Sequence, residues 1–383
     1  MSPLEDYLRN LSQIRSSGSA VDETSFYGSL EALFNEIGKT LKPKVRCVIN
    51  IKNRGAGIPD GGLFTPDQFQ KRSGDQPLPG TLPARGTIEV KPAKDDIWKT
   101  AKTKQVAGYL NKYRQVLVTN LRTFLLMGID EDGQPTELES YSLARDEREF
   151  WDAAAHARRT ADKHGERFAE YMKRVMLQAA PLAAPEDVAW FLASYARDAR
   201  ARVEAADLPA LSAVRSALEE SLGLKFEGPK GEHFFRSSLV QTLFYGVFSA
   251  WVLWSKQHPP TKRSERFDWR LAGWSLRVPM IKALFDQVAT PSQLGPLGLV
   301  EVLDWTAAAL NRVDRASFFQ QFQEGHAVQY FYEPFLKAFD PDLRKELGVW
   351  YTPTEIVRYM VARVDTVLRE EMKLPDGLAD PNV

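Results

Sequence analysis

Strand signals fill the first third of this sequence and then stop. Up to about Met127, short apolar runs alternate with polar residues, the period of a strand with one covered face. Val45, Cys47, Ile49 and Ile51 form one such run, and Ile88 and Val90, set between Thr87, Glu89 and Lys91, form another. Residues 115–119 and 123–127 read as two further strands. From about Leu143 helix formers take over, with helices expected at 153–155, 199–206 and 211–224, punctuated by Pro181, Pro185 and Pro209. A chain with this break folds as a mixed α/β unit followed by an all-α one.

The front unit reads as helix, three strands, helix and two strands. Leu4, Tyr7, Leu8, Leu11 and Ile14 share one side of a short helix over 1–15, followed by a flexible break at 16–19. Phe26, Leu30, Leu33, Phe34 and Ile37 are the apolar stripe of a helix over 25–41, with Asp22 or Thr24 as its cap. Residues 65–85 are rich in Gly, Pro and polar side chains and read as a loop, a helix is expected over 95–113, and 130–134 reads as a turn. In the rear unit, 234–254 is the most apolar stretch. Arg236, Ser237, Ser238 and Gln241 interrupt it, which makes it a buried bundle helix and leaves no membrane span. Residues 261–275 read as a loop, and a Pro/Gly break falls at 291–298.

Composition excludes several classes. A single cysteine, Cys47, rules out an internal disulfide framework, and the five histidines show no metal-site spacing. No G-x-x-x-x-G-K-S/T loop occurs, so there is no sign of a phosphate-loop ATPase. The first ten residues lack a basic-then-apolar signal, and a cytoplasmic setting is expected. Net charge is zero, but the local distribution is uneven. Lys39, Lys42, Lys44, Arg46, Lys52 and Arg54 form one basic run, and Lys91, Lys94, Lys99, Lys102 and Lys104 form a second. Such runs suit phosphate contacts, and equally suit a solvated lysine-rich face.

Those runs flank three short pieces. They are Gly57-Ile58-Pro59-Asp60-Gly61-Gly62, Thr87-Ile88-Glu89-Val90-Lys91-Pro92 and Gln105-Val106-Ala107-Gly108-Tyr109. On a strand, Glu89 and Lys91 project to one side, roughly 6.5–7 Å apart at the backbone. Asp60 follows a Gly/Pro turn at which the chain can re-enter a sheet. If Asp60 and Glu89 lie on neighbouring strands, their carboxylates can share one hard cation, and magnesium takes carboxylates plus waters. Lys91 would then orient or activate a water, or stabilise charge on a phosphate. Gln105 and Tyr109, four apart, share one helix face.

The order Pro59-Asp60, Glu89-x-Lys91, Gln105-x-x-x-Tyr109 resembles the PD-(D/E)xK nuclease superfamily with its following Q-x-x-x-Y helix. The resemblance implies a mixed sheet with flanking helices over 1–140, magnesium held by Asp60 and Glu89, and catalysis by Asp60, Glu89 and Lys91 with Gln105 and Tyr109 assisting. Glu31 looks like the additional helix carboxylate, and thus metal ligand, that some members carry. The plain alternative is that Glu89 and Lys91 mark a solvated strand face and Glu31 a polar helix face.

Near the end, 329–337 is an aromatic segment, Gln-Tyr-Phe-Tyr-Glu-Pro-Phe-Leu-Lys, and Gly348-Val349-Trp350-Tyr351-Thr352-Pro353 precedes an amphipathic helix with Ile356, Val357, Met360, Val361 and Val364. Thr352 suits a cap and Pro353 a first helical position. This stretch resembles the opening of the methyltransferase domain in N6-adenine DNA methyltransferases, specifically in single-chain restriction–modification enzymes of Type IIG and Type ISP. There, Tyr351, Thr352 and Pro353 match the segment that helps hold S-adenosylmethionine. The glycine-rich cofactor motif and the (N/D)-P-P-(Y/F) motif do not follow. The resemblance therefore implies the front part of a longer enzyme: a nuclease domain over 1–140, a helical connector over 141–325 and a truncated methyltransferase start over 326–383.

The expected activity is magnesium-dependent, site-specific cleavage of double-stranded DNA. Adenine methylation with S-adenosylmethionine is expected only with the absent methyltransferase and target-recognition domains. Two alternatives stay open, a non-catalytic DNA-binding or docking module and a protein whose main activity is methylation in the full-length form.

Overall fold

The computed structural model describes all residues except 1, 19, 20, 22, 52–56, 70–76, 131, 132, 207–209, 224, 260–264, 277–281, 283, 284, 287, 288, 291–293, 323–330, 347–351, 353 and 382. The chain divides into two compact units, residues 1–181 and 182–383.

In the first unit, Ser2 caps helix α1 (Pro3–Ser16) by accepting from the Glu5 amide at 3.2 Å, and Pro3 opens the helix. Leu4, Tyr7, Leu8 and Leu11 recur at three- and four-residue steps and are buried. A 3-10 turn at Thr24–Phe26 leads into α2 (Tyr27–Gly38), which buries Leu30, Leu33, Phe34 and Ile37. Thr24 does not cap α2. The 3-10 turn absorbs it, and Phe26 stands at the cap position without a side-chain bond. The other expected cap, Asp22, lies outside the described residues. Helix α2 also stops short of the expected residue 41. The chain doubles back there, and the Gly38 carbonyl accepts from the Val45 amide at 3.1 Å.

Among the described residues six strands follow: β1 (Arg46–Ile49), β2 (Gly61–Phe64), β3 (Thr87–Val90), β4 (Val116–Thr119), β5 (Thr123–Ile129) and β6 (Pro135–Ser142). They form one sheet in sequence order. Every neighbouring pair is antiparallel except β3 and β4, which run parallel. A parallel step needs a crossover, supplied here by α3 (Ile97–Ala101) and α4 (Lys104–Tyr113). The sequence pattern implied one helix across this span. The structure breaks it because the Thr103 hydroxyl accepts from the Val106 amide at 3.3 Å and starts a second helix. Val106, Tyr109, Leu110 and Tyr113 of α4 then bury against Val116, Val118, Leu125 and Met127 of the sheet.

Strand β6 was not expected. It begins with Pro135 and turns Glu139 inward, which hides the apolar alternation. Helices α5 (Glu147–Ala155) and α6 (Ala157–Leu177) pack on α1, and α6 also packs on α2. The first unit therefore runs on to residue 181, beyond the 140 at which the sequence reading placed the end of the nuclease domain.

The second unit is built on α7 (Pro185–Ala205), α8 (Ala210–Leu222) and α9 (Gly228–Gln257). Among its described residues are helices and one isolated bridge, Leu182 to Val313, and no strand. Helix α7 packs against α9 and against helices Leu299–Asn311 and Glu333–Phe339. Buried Asp340 ties the bundle together, accepting from Arg200 Nη1 at 3.0 Å and Ser237 Oγ at 2.6 Å, with His233 Nε2 at 3.1 Å. The expected apolar helix lies inside α9 and buries Phe244, Val247, Phe248 and Trp251. Among the described residues, no helix is long and apolar enough to cross a membrane. Part of the expected 261–275 loop is helical, a 3-10 turn at Trp269–Leu271 followed by Ala272–Ser275. The combined architecture is an α/β core on a mixed sheet plus a helical region.

Candidate active site

Strand register brings the central residues together. Gly61 pairs with Ile88 and Gly62 with Thr87, so extending the antiparallel register by one step sets Asp60 beside Glu89. The Asn50 amide donates to the Asp60 carbonyl at 2.6 Å, which fixes the bend just before β2. Lys91 follows the last residue of β3, and its own amide donates to the Thr119 carbonyl at 2.7 Å, so the pairing with β4 continues past the strand end.

Each acidic side chain is held by several bonds. Asp60 Oδ2 accepts from the Val90 amide at 2.8 Å, and Asp60 Oδ1 lies 2.7 Å from the Tyr27 hydroxyl. Lys91 Nζ donates to Glu89 Oε1 at 2.6 Å and to the Val90 carbonyl at 3.0 Å. Gln105 Nε2 donates to the Tyr109 hydroxyl at 2.8 Å and reaches Glu89 Oε2 at 3.4 Å. Gln105 and Tyr109 sit one turn apart on α4, as their spacing requires. Tyr109 also lies against Gly57. A Cβ there would stand 3.3 Å from the ring, and φ is +101°, a conformation that favours glycine.

Burial sets the charge states. Glu89 is 1% exposed, and burial pushes its carboxyl above the usual range; the nearby Asp60 charge adds to this and Lys91 opposes it. Burial alone would lower Lys91, but its hydrogen bond and ion pair with Glu89 outweigh that and hold the ammonium above the usual lysine range. Lys91 is thus a cation at neutral pH, suited to neutralising a developing negative charge. Burial raises the Tyr109 phenol, against the hydrogen bond from Gln105.

Two residues escaped the sequence reading. Tyr27 touches Asp60 and also lies 2.8 Å from Glu23 Oε1, and Glu23 contributes to the electrostatics of both Glu89 and Lys91. Their one signal is the i, i+4 spacing just before α2. Glu31, on α2 one turn after Tyr27, has Oε1 3.4 Å from the amide of Ile49, which pairs with Gly61 of β2. Among the described residues, no group of three or more His, Cys, Asp or Glu side chains is placed to hold a metal ion. Of the residues matched to S-adenosylmethionine binding, Thr352 is exposed, and Tyr351 and Pro353 lie outside the described residues. In the basic runs, Lys42, Lys44, Lys94, Lys102 and Lys104 are exposed, Lys39 pairs with Glu36, and Lys52 and Arg54 lie outside the described residues.

No family model matches the sequence, and no curated protein matches it. Among solved structures, the chain is similar to a cryo-EM structure of a DrdV–DNA complex, with a TM-score of 0.34 and 18% identity. That likeness covers 100% of this chain and 33% of the other, so the chain spans about a third of that solved chain.

Proposed function

We propose that the first unit is a magnesium-dependent DNA endonuclease, the cleaving part of a restriction–modification enzyme. One observation carries the reading. The Lys91 ammonium rests on Glu89 Oε1 and the Val90 carbonyl while Asp60 is pinned beside them. Oxygens that already converge on one cation are the hard, negative donors that magnesium takes, and two carboxylates with the remaining positions left to water is its usual protein site. Asp60 and Glu89 would hold it. Bound there, it supplies a Lewis acid for the phosphate and a more acidic water.

The protein's own groups then divide the work. Asp60 and Glu89 fix the site's negative charge at the junction of two strands. Lys91 places a permanent positive charge where the attacked phosphate gains negative charge. Gln105 reaches Glu89 from the helix side, and Tyr109 braces Gln105. Water adds to phosphorus, one P–O ester bond breaks, and a phosphomonoester and a free hydroxyl result. The exposed lysines at 94, 102 and 104 are suited to contact the DNA backbone. On the same reading, Tyr351, Thr352 and Pro353 open an N6-adenine methyltransferase domain that binds S-adenosylmethionine in the full-length protein.

The test is plasmid cleavage with magnesium and with EDTA, comparing wild type with Asp60→Ala. Nicking or linearisation that needs magnesium and is lost in the variant is expected. Equal cutting by wild type and Asp60→Ala would overturn the site.

A further inference from the structure

Tyr27 lies outside the motif that carries the site, yet it holds one of its carboxylates. Its hydroxyl is 2.7 Å from Asp60 Oδ1 and 2.8 Å from Glu23 Oε1, and its side chain is buried. A phenol carries one hydrogen, so the two acids compete for it. The other Asp60 oxygen is taken by the Val90 amide at 2.8 Å. Between them, these two contacts fix the plane of the Asp60 carboxylate. A short acidic side chain at a bend otherwise samples a broad range about its terminal torsion.

The position of Tyr27 is itself fixed. It opens α2, whose Leu30, Leu33, Phe34 and Ile37 are buried in the unit's core. Helix α2 packs on β1, which pairs with β2, the strand that Asp60 precedes. The phenol therefore reaches Asp60 from a rigid element. Glu23 belongs to the segment before the helix and is more exposed than Tyr27.

We infer that Tyr27 is a positioning residue for the cation site, holding Asp60 in the orientation that turns its carboxylate toward Glu89, with Glu23 a rival acceptor for the same hydrogen. The inference rests on the Asp60–Glu89 reading above.

Calorimetric titration of the full chain with magnesium alone, without DNA, tests it. Partners that orient a metal's ligands typically change affinity by about ten- to a hundredfold, so Tyr27→Phe should bind magnesium that much more weakly at an unchanged unfolding temperature. Cleavage by Tyr27→Phe should need correspondingly more magnesium, with the KM for DNA unchanged. Glu23→Ala, which leaves the Tyr27 hydrogen to Asp60, should bind within about threefold of wild type. Tyr27→Phe binding within that same margin, while Asp60→Asn loses magnesium, overturns the inference and spares the nuclease reading. Glu23→Ala losing about tenfold also overturns it, and decides the matter if Tyr27→Phe does not fold. A wild-type chain that takes up no magnesium ends both.

Discussion

Lys91 and Glu89 form an ion pair across the end of β3: they are two residues apart, with Nζ 2.6 Å from Oε1. The pair is asymmetric. Glu89 is buried and its carboxyl is pushed above the usual range, whereas Lys91 is partly open and its ammonium is held above the usual lysine range. The lysine is therefore the dependable charge of the two. If it acts through that charge, arginine should partly replace it. Lys91→Met is expected to cut plasmid about a hundredfold more slowly or worse, the usual cost of losing one electrostatic contact to a transition state. Lys91→Arg should keep at least about ten times the rate of Lys91→Met, short of wild type because its planar fork fits differently. Equal rates in the two variants would point to proton transfer by Lys91.

Glu139 and Arg174 form a buried ion pair in the first unit. Both are buried, and Arg174 Nε lies 3.1 and 3.2 Å from the two Glu139 oxygens. A buried pair contributes little net stability, but removing one partner strands the other at about 3–5 kcal/mol. Arg174→Met should thus lower the unfolding temperature of this unit sharply. Adding Glu139→Leu to that variant should restore much of the loss. Calorimetric unfolding of the full chain checks both, and a double variant no better than Arg174→Met would refute the account.

Those two residues also show where the sequence was hard to read. An inward glutamate broke the period-two pattern of β6, because its partner lies on α6, 35 positions away and invisible to a local window. The core strands β3, β4 and β5 were legible as short apolar runs, although β3 also buries a glutamate, Glu89. In α4, Gln105 and Tyr109 were legible as one helix face because i, i+4 spacing is local. The nearness of Asp60 to Glu89 depends on strand register, which the sequence left conditional. Tyr27 reaches Asp60 across 33 residues of chain, and its i, i+4 spacing to Glu23 says nothing of that contact.

Gly38 ends α2 where the chain comes back to start β1. A Cβ at this position would stand 2.0 Å from the Val45 carbonyl oxygen and 3.0 Å from its carbon. Both atoms are backbone, so neither yields by a rotamer change. Alanine gains about 1 kcal/mol of helix propensity over glycine, against about 1–3 kcal/mol or more for overpacking. The clash should win. Gly38→Ala is expected to lower the unfolding temperature by several degrees, on the order of 2–4 °C per kcal/mol for a unit of this size. An unchanged midpoint would mean that the approach at Val45 relaxes freely.

His164 gives the first unit an acid sensitivity of its own. Its ring lies on α6 beside Tyr141, whose hydroxyl is 3.1 Å from Nδ1. Burial lowers its pKa from 6.5 to about 4, with the positive charges of Lys163 and Arg167 adding to the effect. The folded ring therefore stays neutral at pH values where the unfolded chain already binds a proton. The stability this provides is full above pH 6.5 and is lost as the pH falls from there toward 4. With the ring only partly buried, the loss is on the order of 1–2 kcal/mol. His164→Gln keeps a group able to accept from Tyr141 but does not titrate. Between about pH 7 and pH 4.5, the unfolding temperature of wild type should fall a few degrees further than that of His164→Gln. Carboxylates titrate in both proteins, so the difference between the two curves isolates the histidine, and parallel curves would show that the ring takes up its proton without cost to the fold.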